Sequence, residues 1–241
     1  MRALLWKGVN ELAVENVPDP QLINAQDVIV KVRRSTTCGS DLHLLGGYIP
    51  FMRAGDVMGH EFLGEVVEVG SEVRRHVVGD RVVVSSFISC GRCWYCQQGL
   101  FSACDNGNTN PALTEMMWGA APGGCFGYSH ALGGNAGSHA EYIRVPFADV
   151  GAFRVPDGVS DERALFASDA GPTGWMGADL GGVRPGDVVA VWGAGAVGQM
   201  AARAAMLLGR SASWSSTAST TGYGWPPSTS AARSSTTRRP P

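Results

Sequence analysis

The chain has 241 residues, a formal net charge of −2, 44% hydrophobic and 17% charged side chains. That balance is enough to bury a core in one large or two modest domains, and near-neutrality excludes an electrostatic nucleic-acid or anionic-membrane partner. The N-terminus lacks a secretory pattern, and the longest apolar run, residues 188–198, is about half a membrane span, so a cytoplasmic protein with reduced thiols is expected.

Residues 2–6, 12–16 and 28–32 read as strands, the last a β-branched run, with Val17-Pro18-Asp19-Pro20 as a breaker. Residues 37–64 follow, opening with Cys38-Gly39-Ser40-Asp41-Leu42-His43 and closing with Gly59-His60-Glu61-Phe62-Leu63-Gly64. A thiol, an imidazole and a carboxylate here are the donor types a borderline-soft ion such as zinc selects. A buried turn with a core cysteine would read the same way. Residues 64–70 and 81–84 continue the β character, and many short strands with glycine punctuation predict a partly closed barrel or a sandwich.

Cys90, Cys93, Cys96 and Cys104 come next. Four thiolates at this spacing close a tetrahedral shell around zinc, and a closed shell makes the site structural. Residues 105–139 read as a glycine-rich loop, with Cys125 a small buried residue. His76, His130 and His139 lack ligand spacing and are expected to be structural. Residues 140–146 form another strand, and 154–158 look like a domain boundary.

From Ser160, a plausible helix cap, the period becomes helical. The run Ser168-Asp169-Ala170-Gly171-Pro172-Thr173-Gly174 interrupts it before a second helix over 175–180. A buried-type strand, 188–192, then meets Gly193-Ala194-Gly195-Ala196-Val197-Gly198 and a helix over 199–208. Strand, GxGxxG and helix in that order are the context of a dinucleotide-binding turn. Gly193 makes the turn, Gly195 admits a pyrophosphate, Gly198 lets helix and strand approach, Ala196 and Val197 complete the candidate cofactor-binding run, and the N-terminus of the following helix faces the phosphates.

Taken together, the Cys38/His60-Glu61 set, the four-cysteine lobe and the strand–GxGxxG–helix unit resemble the zinc-dependent medium-chain alcohol dehydrogenases. Asp169, where many members have cysteine, and the run from Cys38 to His43 are similar to the formaldehyde-dehydrogenase branch. The resemblance covers roughly residues 1–209. It implies a GroES-like β-barrel catalytic domain over 1–157, with its structural-zinc lobe near 88–106, and a partial Rossmann domain over 158–209. It further implies Cys38, His60 and Asp169 as catalytic-zinc ligands, Glu61 as a nearby carboxylate, and Ser40 then His43 as proton stations. Zinc at two sites, NAD or NADP, and a small alcohol or aldehyde substrate are the implied cofactors and partner. Members are often homo-oligomeric; nothing here fixes the state of this chain.

Beyond residue 209 the resemblance stops. From Arg210 onward there is no Asp, Glu, Val, Ile or Leu, and four arginines stand against no acids, so residues 1–209 carry −6 of the chain's −2. This composition predicts a disordered tail over 210–241. It also suggests an out-of-frame reading: GC-rich codons for residues 214–222, read in a shifted frame, give Val-Val-Asp, the end expected of a second Rossmann strand. A Rossmann sheet cut to one strand would lack the ribose-binding acid. The alternative function is therefore a catalytically inactive, truncated zinc-binding fragment.

Overall fold

The computed structural model describes residues 1–209 and 214–217. Two compact units divide after Ala170. The first begins with β1 (Arg2–Gly8), β2 (Glu11–Asn16), β3 (Val28–Thr36), α1 (Gly39–Leu45), β4 (Asp56–Val57), β5 (Glu61–Val69), β6 (Arg81–Val84) and β7 (Phe87–Ile88). It continues through α2 (Trp94–Gln97), α3 (Pro111–Trp118), β8 (Gly124–Cys125), β9 (Tyr142–Val145), α4 (Ala148–Gly151), β10 (Ala152–Arg154) and α5 (Asp161–Leu165).

Five of these strands form an antiparallel sheet in the order β10-β6-β5-β3-β9, and a smaller sheet runs β2-β1-β4. Side chains alternate between faces along a strand, and both faces of the large sheet are covered. Phe62 and Val66 of β5, with Val82 and Val84 of β6, enter the main core with Val28, Val30, Ile143 and Val145. Leu63 and Val83 point the other way, onto Val155, Ala164 and Leu165 at α5. That is why β6 reads as an unbroken apolar run instead of an alternating one. Asp161 fastens α5 down, with Arg33 Nε at 2.9 Å and Arg81 Nη1 at 3.0 Å from its carboxylate.

The expected barrel closure is not found: among the described residues the sheets stay open. The outer strands β9 and β10 are four and three residues long, and the two sheets meet at the isolated bridge between Ala3 and Ala140. Too few ladder positions remain at those edges to close the sheet. The predicted loop over 105–139 also contains a helix, α3, with Pro111 in its first turn and Gly119 in the left-handed conformation at its end.

The second unit holds α6 (Ala170–Leu180), β11 (Val189–Trp192), α7 (Ala196–Gly209) and β12 (Trp214–Thr217). α6 starts earlier than predicted because Pro172 falls in its first turn, where a missing N–H costs nothing. Ala178, Ala204 and Ala205 make its small core with Val183, Val189 and Leu208. β12 lies parallel to β11 in register Val189↔Trp214 through Trp192↔Thr217. The unit therefore has two strands, the second pairing with the backbone edge of β11. The rest of the tail expectation lies outside the described residues. No described helix is long and apolar enough to cross a membrane.

Gly64 sits mid-β5, where a Cβ would meet the backbone carbonyl of Lys31 on β3. We predict that Gly64→Ala forces the two strands apart and lowers stability by about 1–3 kcal/mol, read as a lower urea midpoint. An unchanged midpoint would show that the ladder has room to spare.

Candidate metal centres and nucleotide turn

The register of β3 on β5 builds the first centre. Thr36 pairs with Glu61, so the chain leaving β3 toward Cys38 emerges beside the chain entering β5 through His60. Ser35 Oγ holds the junction by donating to the Glu61 carbonyl at 3.0 Å. Cys38 is the extended residue before α1, and its N–H donates to Asp41 Oδ2 at 2.8 Å. Asp169 arrives from the turn before α6, which is anchored by the Ser86 N–H on the Ser168 carbonyl at 3.2 Å. One donor atom from each of Cys38, His60, Glu61 and Asp169 then lies within 4.8 Å of all the others. Asp169 falls inside the first compact unit with its three neighbours.

His60 is 2% exposed and stands between two carboxylates. Nδ1 faces Asp41 Oδ1 at 3.3 Å as an ion pair, and neither atom makes a hydrogen bond. Nε2 lies 3.4 Å from Asp169 Oδ2 and 3.3 Å from Ser40 Oγ. Burial alone would lower the histidine's pKa, but Asp169, Asp41 and Cys38 outweigh it and drive it far upward. Burial raises the Glu61 carboxyl, and the neighbouring Asp169 raises it further. So much negative charge around one buried imidazole calls for a cation, and sulfur, nitrogen and oxygen donors together suit a borderline-soft divalent ion.

Asp41 is the residue that sequence reasoning missed. Its position three residues after Cys38 carried a signal, since that is where a carboxylate reaches back to a helix-capping N–H. His43 lies one turn beyond Ser40 on α1, exposed, with its ring edge-on to Tyr48 at 5.9 Å. Tyr128 is brought to the centre as well, its ring 6.0 Å from that of His60 at 72°. Cys125, buried on β8 as predicted, has its thiol pushed up to about 12 by burial. Two other histidines take polar partners: His130 Nε2 is 3.1 Å from Asp56 Oδ1, and His139 Nε2 is 3.3 Å from the Thr36 carbonyl.

The second centre is the cysteine lobe. One sulfur from each of Cys90, Cys93, Cys96 and Cys104 lies within 4.8 Å of the others, and all four are free thiols. Cys93 and Cys104 Sγ are 4.0 Å apart. A disulfide needs about 2.05 Å, whereas four sulfurs at about 2.3 Å from a zinc ion stand about 3.8 Å from each other. Burial opposes ionisation of Cys90, yet the Asn106 amide and the N–H groups of Arg92 and Cys93 bring it down to about 6. Cys96 is pushed up to about 12, first by burial. The lobe favours one thiolate by itself and needs a cation for the rest.

The turn after β11 belongs to the second unit. Gly193 has φ +92°, which a side chain would strain; nothing lies within 4 Å of where a Cβ on Gly195 would stand. A Cβ on Gly198 would strike the Gly193 carbonyl, so helix and strand approach as closely there as glycine permits. The N-terminus of α7, carrying Ala196 and Val197, opens onto this space.

Comparison with known proteins places these features in a family. Over 212 residues the chain is 40% identical to a zinc-type alcohol dehydrogenase-like protein of Schizosaccharomyces pombe, covering 88% of this chain and 50% of that protein. It is 36% identical over 220 residues to a glutathione-independent formaldehyde dehydrogenase of Pseudomonas aeruginosa, covering 86% and 52% respectively. The solved structure of an alcohol dehydrogenase from Thermus sp. ATN1 superposes with a TM-score of 0.79 at 39% identity, covering 90% of this chain and 57% of that one. The chain thus spans about half the length of the curated relatives it matches. The alcohol dehydrogenase GroES-like domain matches residues 24–157, more than half of the chain, and the chain belongs to that family.

Proposed function

We propose that the chain carries the zinc-holding machinery of an alcohol or aldehyde dehydrogenase that passes hydride to NAD or NADP. The convergence of Cys38, His60, Glu61 and Asp169 carries this reading. Cys38, His60 and Asp169 would hold a catalytic zinc, Cys90, Cys93, Cys96 and Cys104 a structural one, and residues 193–198 the dinucleotide. The domain division follows: a catalytic domain through about residue 157, its cysteine lobe near 88–106, and dinucleotide-binding elements from about 158. When bound, zinc supplies a Lewis acid that acidifies an alcohol hydroxyl, and a nicotinamide supplies the hydride acceptor.

The chain's own residues prepare that chemistry. Asp41 takes the Nδ1 side of His60 and so leaves the Nε2 lone pair toward the other donors. Ser40 Oγ, beside Nε2, is placed to accept a proton from the substrate hydroxyl, and His43, one turn along the same helix and open to water, is placed to pass it out. Glu61, buried and held toward its neutral form, offers a second carboxylate when the donor set rearranges. At Gly193–Gly198, the open space over Gly195 and the N-terminal end of α7 would cradle a pyrophosphate.

Metal analysis and turnover test the reading. The purified chain is expected to bind two zinc ions; Asp169→Asn should lose one of them and Cys96→Ser the other. With both bound, NADH or NADPH absorbance at 340 nm should rise with a short alcohol or hydrated formaldehyde. Two zinc ions with neither turnover nor dinucleotide binding would reduce the reading to the inactive zinc-binding fragment, and a single zinc ion would remove the catalytic centre from it.

Asp41 gives a second prediction. Asp41→Asn should weaken zinc at the first centre by about 10–100-fold, measured by competition with a chelator, while leaving the cysteine lobe loaded. In the metal-free chain, the raised pKa of His60 means an imidazolium at pH 8. Its stabilising contribution is full below the unfolded value of about 6.5 and declines as pH rises toward the folded one. Nitrogen-15 NMR of the ring should show both nitrogens protonated at pH 8; a neutral ring would contradict the assigned electrostatics.

A further inference from the structure

Phe126, Gly127 and Tyr128 are clamped against the first centre. Phe126 N–H donates to the Ser86 carbonyl at 3.2 Å, and its ring packs edge-on to Phe62 at 5.4 Å in the core. Gly127 has φ +53°, its N–H donates to the Asn135 carbonyl at 2.9 Å, and a Cβ there would collide with the backbone of Gly59. With Phe126 turned inward and Gly127 pressed on Gly59, Tyr128 comes to stand across the imidazole of the next residue, His60, at 6.0 Å and 72°. Ser86, which receives Phe126, also donates to the Ser168 carbonyl beside Asp169, so one short segment braces both Tyr128 and a donor of the centre.

Asp41 Oδ1 lies 3.3 Å from one side of the imidazole, at Nδ1. That contact and those at Nε2 all lie at the ring's nitrogens and leave the ring free to turn about the line joining them. An edge-to-face neighbour has a preferred plane and removes that freedom. We propose that Tyr128 is a positioning residue for the Cys38, His60 and Asp169 centre: its ring fixes the plane in which His60 Nε2 meets a metal ion. The inference rests on the metal reading of that centre. The flat ring does this work and the phenol hydroxyl does not, so phenylalanine substitutes for tyrosine.

Cobalt(II) in place of zinc tests it, because its visible absorption reports ligand geometry separately from affinity. The full chain is titrated with cobalt(II) alone, then competed with a chelator. Tyr128→Phe should keep the parent's band positions and bind within about 2-fold of it. Tyr128→Met and Tyr128→Leu, which stay apolar but lose the ring, should shift the bands and weaken the first centre by about 10-fold. The four-cysteine charge-transfer signal stays constant in all of them, and constants are read on protein retaining it. Parent-like bands and affinity in both the Met and Leu variants overturn the proposal, as does a Phe variant no better than they are. A parent chain that takes cobalt at the cysteines alone overturns the metal reading underneath it, and that result is visible before any variant is made.

Discussion

The pairing of Thr36 with Glu61 is the constraint on which the first centre depends. Cys38 and His60 are far apart in sequence, and neither has a reason to find the other except that β3 ends where β5 begins. A one-residue slip would turn Phe62 and Val66 out of the core and Leu63 into it. Hydrophobic burial on both faces of the sheet therefore sets the position of the donors. Asp161, tied to Arg33 of β3 and Arg81 of β6, holds α5 on the same sheet and brings the following turn, with Asp169, within reach.

The two metal centres solve opposite problems. The cysteine lobe is short, locally connected and poor in apolar packing of its own; its core is the four sulfurs. A cation there would replace the hydrophobic burial the lobe lacks. The first centre sits on a well-packed scaffold, and its donors come from three separate stretches. Three carboxylates and a thiol around one imidazole concentrate negative potential at a single buried point.

Much of this was legible in the sequence because the signals were local. Val28 to Val32 and Arg81 to Val84 declared their strands by β-branching, and the cysteine spacing needed no distant partner. In the turn after β11, Gly193 answers to a positive φ and Gly198 to the close approach of helix and strand. What was not legible depended on edges and neighbours. Whether the sheet closes is decided by how many residues β9 and β10 can pair, which no single segment encodes. α3 was hidden in a glycine-rich stretch although Pro111 and Gly119 mark both its ends. β12 exists because β11 offers it an edge; its own residues carry no apolar alternation that would announce it.

Asp41 shows why a site residue can escape a motif yet govern it. One carboxylate oxygen takes the Cys38 N–H and caps α1, while the other faces His60. A cap of this kind is worth about 1 kcal/mol to a helix, modest for stability. Here the same contact fixes the backbone of one donor and the ring of another. The start of α1 and the aim of the imidazole are consequently one geometric fact. Loosening the helix end would misdirect His60 and release Cys38 together, and Ser40, in the first turn of that helix, would move with them.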